Sequence, residues 1–398
     1  MARNLLFFAD GTWQGADSPN HSNVIKLFGM LAGANTLGVA SSSEQERSSA
    51  GIAGKNDQHA KYIDGLGADG NWLKKTIQGA IGAGLIGDVL RGYTYLSRMY
   101  QPGDALYLVG FSRGSYTVRT LAGLIMAKGL LRGLDPAATD ESGYRQAAKA
   151  WSDYMTAREA RRSPDGLFAD AIGRVQAAVA DIPEIFNGLG QEPLYITPVP
   201  VVAIGVFDTV GALGIPVLAE KANVRIDVLQ FADTVLNPLV AQAFHAVAID
   251  EQRVDFTPTL WTARDGIEQV LHPGAHADVG GGYPLGPDSL LSDASLAWMA
   301  ARLDAAGVAF QGPLPTASAG APLGPQHEPW RGGVWTVRPA RPREFPHQTS
   351  AAALTVSPVT LARLGHQAPV NAATDPPQNR TEIYDPPALR NAGYADVR

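Results

Sequence analysis

No cysteine occurs among the 398 residues, which excludes disulfide scaffolds, thiolate metal sites, covalent haem attachment and cysteine nucleophiles together. The redox compartment stays unreadable, because a chain without thiols suits either side of a membrane. Excess positive charge is missing too: 32 Lys and Arg stand against 38 Asp and Glu, a formal net charge of −6. A general nucleic-acid binder normally carries a basic face, so no nucleic-acid partner is expected. Long apolar runs are scarce. Leu5-Leu6-Phe7-Phe8 is too short for a signal-peptide core, and Asp10-Gly11 follows at once, so any export is expected to use another route. Val199 to Val217 is nearly long enough to span a bilayer, but Asp208 sits midway with Gly211, Gly214 and Pro216 behind it. A buried strand running into a loop explains that pattern better. The expected location in the producing cell is cytoplasmic.

What is present suits a large core, with 45% hydrophobic residues. Leu5 to Ala9, Ala105 to Gly110 and Val201 to Phe207 are strand-length apolar runs, each stopped by a Gly/Asp/Ser turn. Runs that are apolar throughout predict a mostly parallel sheet covered on both faces. Ile86, Leu90, Tyr93, Leu96 and Tyr100 recur at helical spacing before Pro102-Gly103-Asp104, and Tyr116 to Lys128 follows the second strand. Strand, helix, strand in that order predicts an α/β architecture with crossover connections. Residues 134–190, rich in Ala, Arg, Asp and Glu, read either as a helical insertion or as ordinary crossover helices. Ser41 to Asn56 reads as a polar surface loop. Half of the 28 prolines fall after residue 312, so 1–310 is expected to form one domain and 311–398 a Pro-rich extension wrapping it. Within that extension, Gly333 to Val337 and Thr355 to Leu364 predict an edge strand and a short helix.

The sharpest motif is Gly110-Phe111-Ser112-Arg113-Gly114, a G-x-S-x-G with a strand before it and a helix after it. Such a turn lifts the serine hydroxyl clear of the sheet, and the two glycines stand where a side chain would strike neighbouring backbone. The helix that follows aims its positive end at an oxyanion. A serine needs a base, and the base needs an acid, here in the chain order Ser, Asp, His. Asp208 ends the third strand, at the edge where ligands bind in open α/β sheets. His276 lies in a glycine-rich loop after Gln269 to Leu271, with His272 as its rival; His327, His347 and His366 sit in the proline-rich extension. Asp278, near His276, is the alternative to Asp208 for orienting the imidazole, or a cation ligand, but His276 with Asp278 is too thin for a metal site. Oxyanion donors are expected from the Arg113 N–H and from Gly11 or Thr12, with Asp10 either shaping that loop or merely forming a turn. Gly79 to Gly84 lacks the Lys-Ser/Thr ending of a phosphate loop. No cofactor and no metal are expected.

Further elements point to a family. Asp10-Gly11-Thr12 looks like an "F-D-G-T" strand end, and Tyr62 to Gly67 resembles "Y-x-G-V-G". Gly110 to Ser115 matches "G-F-S-R-G-A", Phe207 to Gly211 matches "W-D-T-V-G", and His245 to Arg253 resembles "H-A-L-A-L-D-E-x-R". Pro273 to Tyr283 looks like "P-G-V-H-S-D-V-G-G-G-Y". Together, over roughly residues 4–310, the chain resembles the bacterial family of uncharacterised α/β-hydrolase domains that includes the type VI secretion phospholipase effectors. Departures at Ala9, Phe207 and Leu271-His272 touch pocket lining more than the triad. The resemblance implies an α/β-hydrolase fold, a Ser112–Asp208–His276 triad and an esterase acting on membrane phospholipid acyl esters. It also implies transient membrane contact, delivery into target cells, a secretion-apparatus carrier and an immunity protein. The alternatives are a soluble esterase of small or carbohydrate esters and a non-catalytic interaction module.

Overall fold

The computed structural model describes residues 2–11, 18–35, 44–52, 54–65, 80–135, 141–162, 193–210, 234–348 and 354–394. From the N-terminus the elements run β1 (Asn4–Ala9), α1 (Asn23–Met30), β2 (Ala34–Asn35), β3 (Glu44–Ser49), β4 (Gln58–Ile63), α2 (Ala80–Met99), β5 (Ala105–Phe111), α3 (Arg113–Lys128), β6 (Leu130–Leu131), α4 (Glu141–Arg162), β7 (Tyr195–Ile196) and β8 (Val201–Phe207). The second half adds β9 (Val240–Ala248), β10 (Ile267–His272), α5 (His276–Gly280), α6 (Leu290–Ala305), β11 (Gln326–Glu328), β12 (Leu354–Val356), α7 (Pro358–Arg363), β13 (Gln367–Ala372), β14 (Gln378–Ile383) and α8 (Pro387–Asn391).

Nine strands form one mixed sheet in the order β12-β10-β9-β8-β5-β1-β4-β3-β2. The run from β12 to β4 is parallel, and β3 is antiparallel to both β4 and β2 at one edge. The three apolar runs became β1, β5 and β8, neighbours at the centre, where strands are buried on both faces. Alternation within β1 divides the core. Leu5, Phe7 and Ala9 pack with residues of α2, α3 and α4, whereas Leu6 and Phe8 pack with Val24 and Phe28 of α1 and Met299 of α6. Helices therefore cover both faces of an α/β fold, and each buried Leu or Phe contributes roughly 1.5–3 kcal/mol.

Several expectations shift. Within Ser41 to Asn56, residues 44–49 form β3, a polar, half-buried strand next to the two-residue edge strand β2; backbone pairing does not require an apolar side chain. Gly333 to Val337 is a 3₁₀ turn with Val334 and Val337 exposed, and the added edge strand is Leu354–Val356, followed by α7. Of residues 134–190, α4 buries Trp151 and Tyr154 in the same layer as α2 and α3; residues 163–192 lie outside the described residues. Beyond residue 310 the chain gives β12 to the main sheet and forms the three-stranded sheet β11-β13-β14. Among the described residues, no helix is long and apolar enough to cross a membrane.

Candidate active site

Because the central strands are parallel, their C-terminal ends share one edge, and the sequence-predicted residues follow those ends. Ser112 follows β5, Asp208 follows β8, Asp10 follows β1, and His276 lies four residues beyond β10. Backbone bonds hold the serine and the aspartate in register: Ser112 N–H donates to Phe207 O at 3.0 Å, and Asp208 N–H to Ala246 O at 2.7 Å. Ser112 has φ 56° and ψ −120°, and its side chain does not cap the helix that starts at Arg113. A positive φ at a non-glycine residue is strain that the surroundings must enforce. Here packing enforces it. A Cβ on Gly110 would lie 2.5 Å from the Gly114 carbonyl oxygen, and one on Gly114 would overlap the Ala9 carbonyl oxygen. Helix and strands are thus closer than any side chain permits, and the chain turns sharply at the serine. Asp208, at φ 39°, is bent in the same sense.

His276 Nδ1 lies 2.6 Å from Asp208 Oδ2, both side chains buried. The imidazole lies against Phe111, the residue before the serine, with the rings tilted by 32° and centroids 4.7 Å apart, and meets Phe256 edge-on at 5.0 Å. The histidine and serine therefore occupy the same edge. Among the described residues, the Ser112 hydroxyl makes no hydrogen bond, so the serine–imidazole contact is not closed in this conformation. Burial pushes the His276 pKa below the ordinary histidine value; the Asp208 hydrogen bond and charge oppose that shift, Arg253 adds to it and Glu251 opposes it.

The other expected residues are also located. Asp278 does not reach His276: its carboxylate accepts from Ala275 N–H and His327 N–H, and its Oδ1 lies 2.6 Å from His327 Nδ1. That imidazole stacks on Tyr283. His272, the rival base, is buried against Trp298, which pushes its pKa down to about 3. Arg113 is the first residue of α3, where an N–H has no helical partner. Gly11 is beside the serine, since a Cβ there would lie 3.1 Å from Ser112 Cβ. Its N–H, however, donates to Asp10 Oδ1 at 2.7 Å. Asp10 Oδ2 also accepts from Ser22 and Tyr62, while burial raises its pKa to about 6. The expected Gly11 donor is thus occupied by a neighbouring carboxylate, and Thr12 lies outside the described residues.

Two residues had gone unread. Arg343, inside the proline-rich stretch, bonds both oxygens of Asp208 at 2.7 and 2.9 Å. Although burial acts to raise the Asp208 pKa, the Arg343 charge and the His276 hydrogen bond hold it well below the usual carboxylate range. Glu251 is fully buried, accepts three bonds from Arg253 and takes the His276 N–H at 3.3 Å. It lies within the His245 to Arg253 element, which was a usable signal. Arg343 had none, because it is one of four arginines between residues 331 and 343.

The class defined by this arrangement is an α/β protein with a serine, a histidine and an aspartate gathered at the carboxyl edge of a largely parallel sheet. Residues 3–302 match the family described as "T6SS, Phospholipase effector Tle1-like, catalytic domain", and the chain belongs to that family. A relative from Saccharomyces cerevisiae, the uncharacterized protein YEL023C, is 21% identical over 283 residues, covering 68% of this chain and 34% of the yeast protein. The chain thus spans about a third of that relative's length. Two solved structures are similar at low TM-score. One is an uncharacterized protein from Pseudomonas aeruginosa, with 19% identity, TM-score 0.40, and coverage of 78% of this chain and 47% of that one. The other is the Tle1 effector bound to the VgrG spike from the type 6 secretion system, with 16% identity, TM-score 0.36, and coverage of 72% and 52%.

Proposed function

We propose that this chain is a serine esterase of the α/β-hydrolase type that cleaves acyl esters of membrane phospholipids, with phospholipase A-type chemistry. The observation that carries the mechanism is the 2.6 Å bond from buried His276 to ionised Asp208, beside a serine held at positive φ. Asp208 accepts from Nδ1 and keeps the Nε2 lone pair directed away from itself. On substrate binding, His276 Nε2 takes the Ser112 proton as Oγ attacks the ester carbonyl carbon. The tetrahedral oxyanion is held by the Arg113 N–H at the start of α3 and by a second amide from the Gly11–Thr12 segment. For Gly11 to serve, its N–H must leave Asp10. The imidazolium then protonates the leaving alkoxide, and a water deprotonated by the same histidine hydrolyses the acyl-enzyme. Phe111 and Phe256 flank the imidazole, Trp335 packs on Phe256 at 5.4 Å, and exposed Val334 and Val337 lie beyond. That surface suits acyl chains.

In this reading residues 1–310 are the catalytic domain and 311–398 an extension that wraps it. The protein is cytoplasmic where it is made and is delivered into target cells by a type VI apparatus, with a spike protein as carrier and an immunity protein protecting the producer. Membership of an effector family supports delivery. The test is fatty-acid release from phospholipid vesicles and turnover of a short-chain aryl ester, for wild type and Ser112→Ala side by side. Both activities should be lost in the variant with the fold retained. Ester turnover without vesicle hydrolysis would move the substrate to small soluble esters; no turnover, with no labelling of Ser112 by a fluorophosphonate, would make the chain a non-catalytic module.

A further inference from the structure

We infer that Arg343 is a positioning residue for the acid–base pair, so that the proline-rich extension is a working part of the active site. The guanidinium is buried, with 4% of its side chain exposed. It donates to both Asp208 oxygens and also to the carbonyls of Ala248, at 2.6 Å, and Phe256, at 2.5 Å. Those carbonyls belong to the end of β9 and to the turn that carries Phe256 against His276. A planar fork fixed at four acceptors sets the plane of the carboxylate, which a flexible ammonium does not do. With Oδ1 also taking the Ala248 N–H at 2.9 Å, only one lobe of Oδ2 is left, and His276 Nδ1 occupies it.

The arrangement has an electrostatic consequence that a bare Asp–His pair lacks. A carboxylate shared with a guanidinium stabilises an imidazolium less than an unshared one. The charged and titratable groups facing this centre are Asp208, Glu251, Arg253, Arg343 and His245, whose Nε2 accepts from Thr209 N–H. Asp208 and Glu251 favour the protonated His276, and the two arginines oppose it. Arg343 therefore keeps the base neutral at lower pH, and its removal raises the pH at which activity appears.

This inference rests on the serine-esterase reading, which fails separately if Ser112→Ala retains wild-type turnover. The test is the pH profile of kcat/KM for a soluble aryl ester, with thermal unfolding as a check on the fold, in Arg343→Met, Arg343→Lys, Asp208→Asn and the Arg343→Met/Asp208→Asn double variant. Arg343→Met should lower kcat about 10²-fold with little change in KM, the scale of a misplaced catalytic group, and move the acid limb to higher pH. Arg343→Lys, which keeps the charge, should be intermediate in both. Added to Asp208→Asn, Arg343→Met should cost almost nothing more in kcat, because its effect passes through the carboxylate. A folded Arg343→Met enzyme with wild-type kcat and an unmoved limb overturns the inference, as does a loss that persists in full in the Asp208→Asn background. If Arg343→Met does not fold, Arg343→Lys decides: it keeps the charge and loses the fork, so a lowered kcat with KM little changed supports the role, and a wild-type kcat refutes it.

Discussion

Replacing Asp208 with asparagine removes one charge and almost no volume, yet its consequences can be worked out donor by donor. Oδ1 accepts from Ala248 N–H and Arg343 Nη1; Oδ2 accepts from His276 Nδ1 and Arg343 Nη2. All four partners are donors in the working state. An asparagine amide must therefore place its NH₂ against donors in either orientation. Facing Ala248 and Arg343, it leaves a buried N–H unsatisfied and nothing can adjust. Facing His276, one clash is relieved if the imidazole changes tautomer, so that Nδ1 accepts and Nε2 carries the hydrogen. That tautomer has no lone pair on Nε2 to take the serine proton. The expected loss in kcat is about 10⁴-fold, the scale of a triad with the wrong tautomer. Arg343 also loses its counter-ion in the interior, and breaking a buried pair costs about 3–5 kcal/mol. The assay is steady-state turnover of a short-chain aryl ester, with circular dichroism and a denaturant melt to establish that the variant is folded. Turnover within tenfold of wild type in a folded Asp208→Asn protein would refute the assignment of Asp208 as the group that sets the His276 tautomer.

Four further outcomes are expected. The acid limb of kcat/KM should fall below the ordinary histidine pKa of about 6.5, because burial lowers the His276 value more than Asp208 restores it; a limb above 7 would contradict this. Gly114→Ala should lower stability by roughly 3 kcal/mol or more, since its Cβ would overlap the Ala9 carbonyl oxygen and lie 2.6 Å from that of Asp10; an unchanged thermal midpoint would argue against the tight turn. Burial raises the Asp88 pKa to about 7 against the pull of Arg91, so its contribution to stability is intact below about pH 4 and lost as pH rises through 7. Asp88→Asn should accordingly stabilise the fold at pH 8, by at most about 4 kcal/mol, and leave it unchanged at pH 4, as read by denaturant melts. Val337→Ser, at a residue 87% exposed, should slow hydrolysis of phospholipid vesicles several-fold while soluble-ester turnover holds; equal effects on both would remove the turn at 333–337 from lipid contact.

Much of the central sheet was legible because its information is local. β5, β8 and β1 from Leu5 onward are apolar throughout, the pattern of strands buried on both faces, and each ends in a turn that the sequence spells out. The same locality placed Ser112: two glycines, a preceding strand and a following helix describe the bend before any coordinates. The edge of the fold was harder. β3 is polar along its length and only half-buried on either face, although it pairs with both β4 and β2, so it read as a loop. Gly333 to Val337 read as an edge strand, but Trp335 packs on Phe256 while Val334 and Val337 are exposed, and the segment is a 3₁₀ turn.

From the sequence alone came the three central strands, the sharp turn at the serine and the residue types able to work with it, because apolar runs and turn chemistry act between near neighbours. Which carboxylate bonds which imidazole followed from the family resemblance but not from the spacing of the residues, and the tertiary structure shows the pairs. Asp278, two residues from His276, turns to His327, while Asp208, sixty-eight residues away, takes the bond. Arg343 comes from 135 residues further along the chain than its carboxylate. A buried charge must find its partner wherever the folded chain brings one, and nothing in the spacing of residues records where that will be.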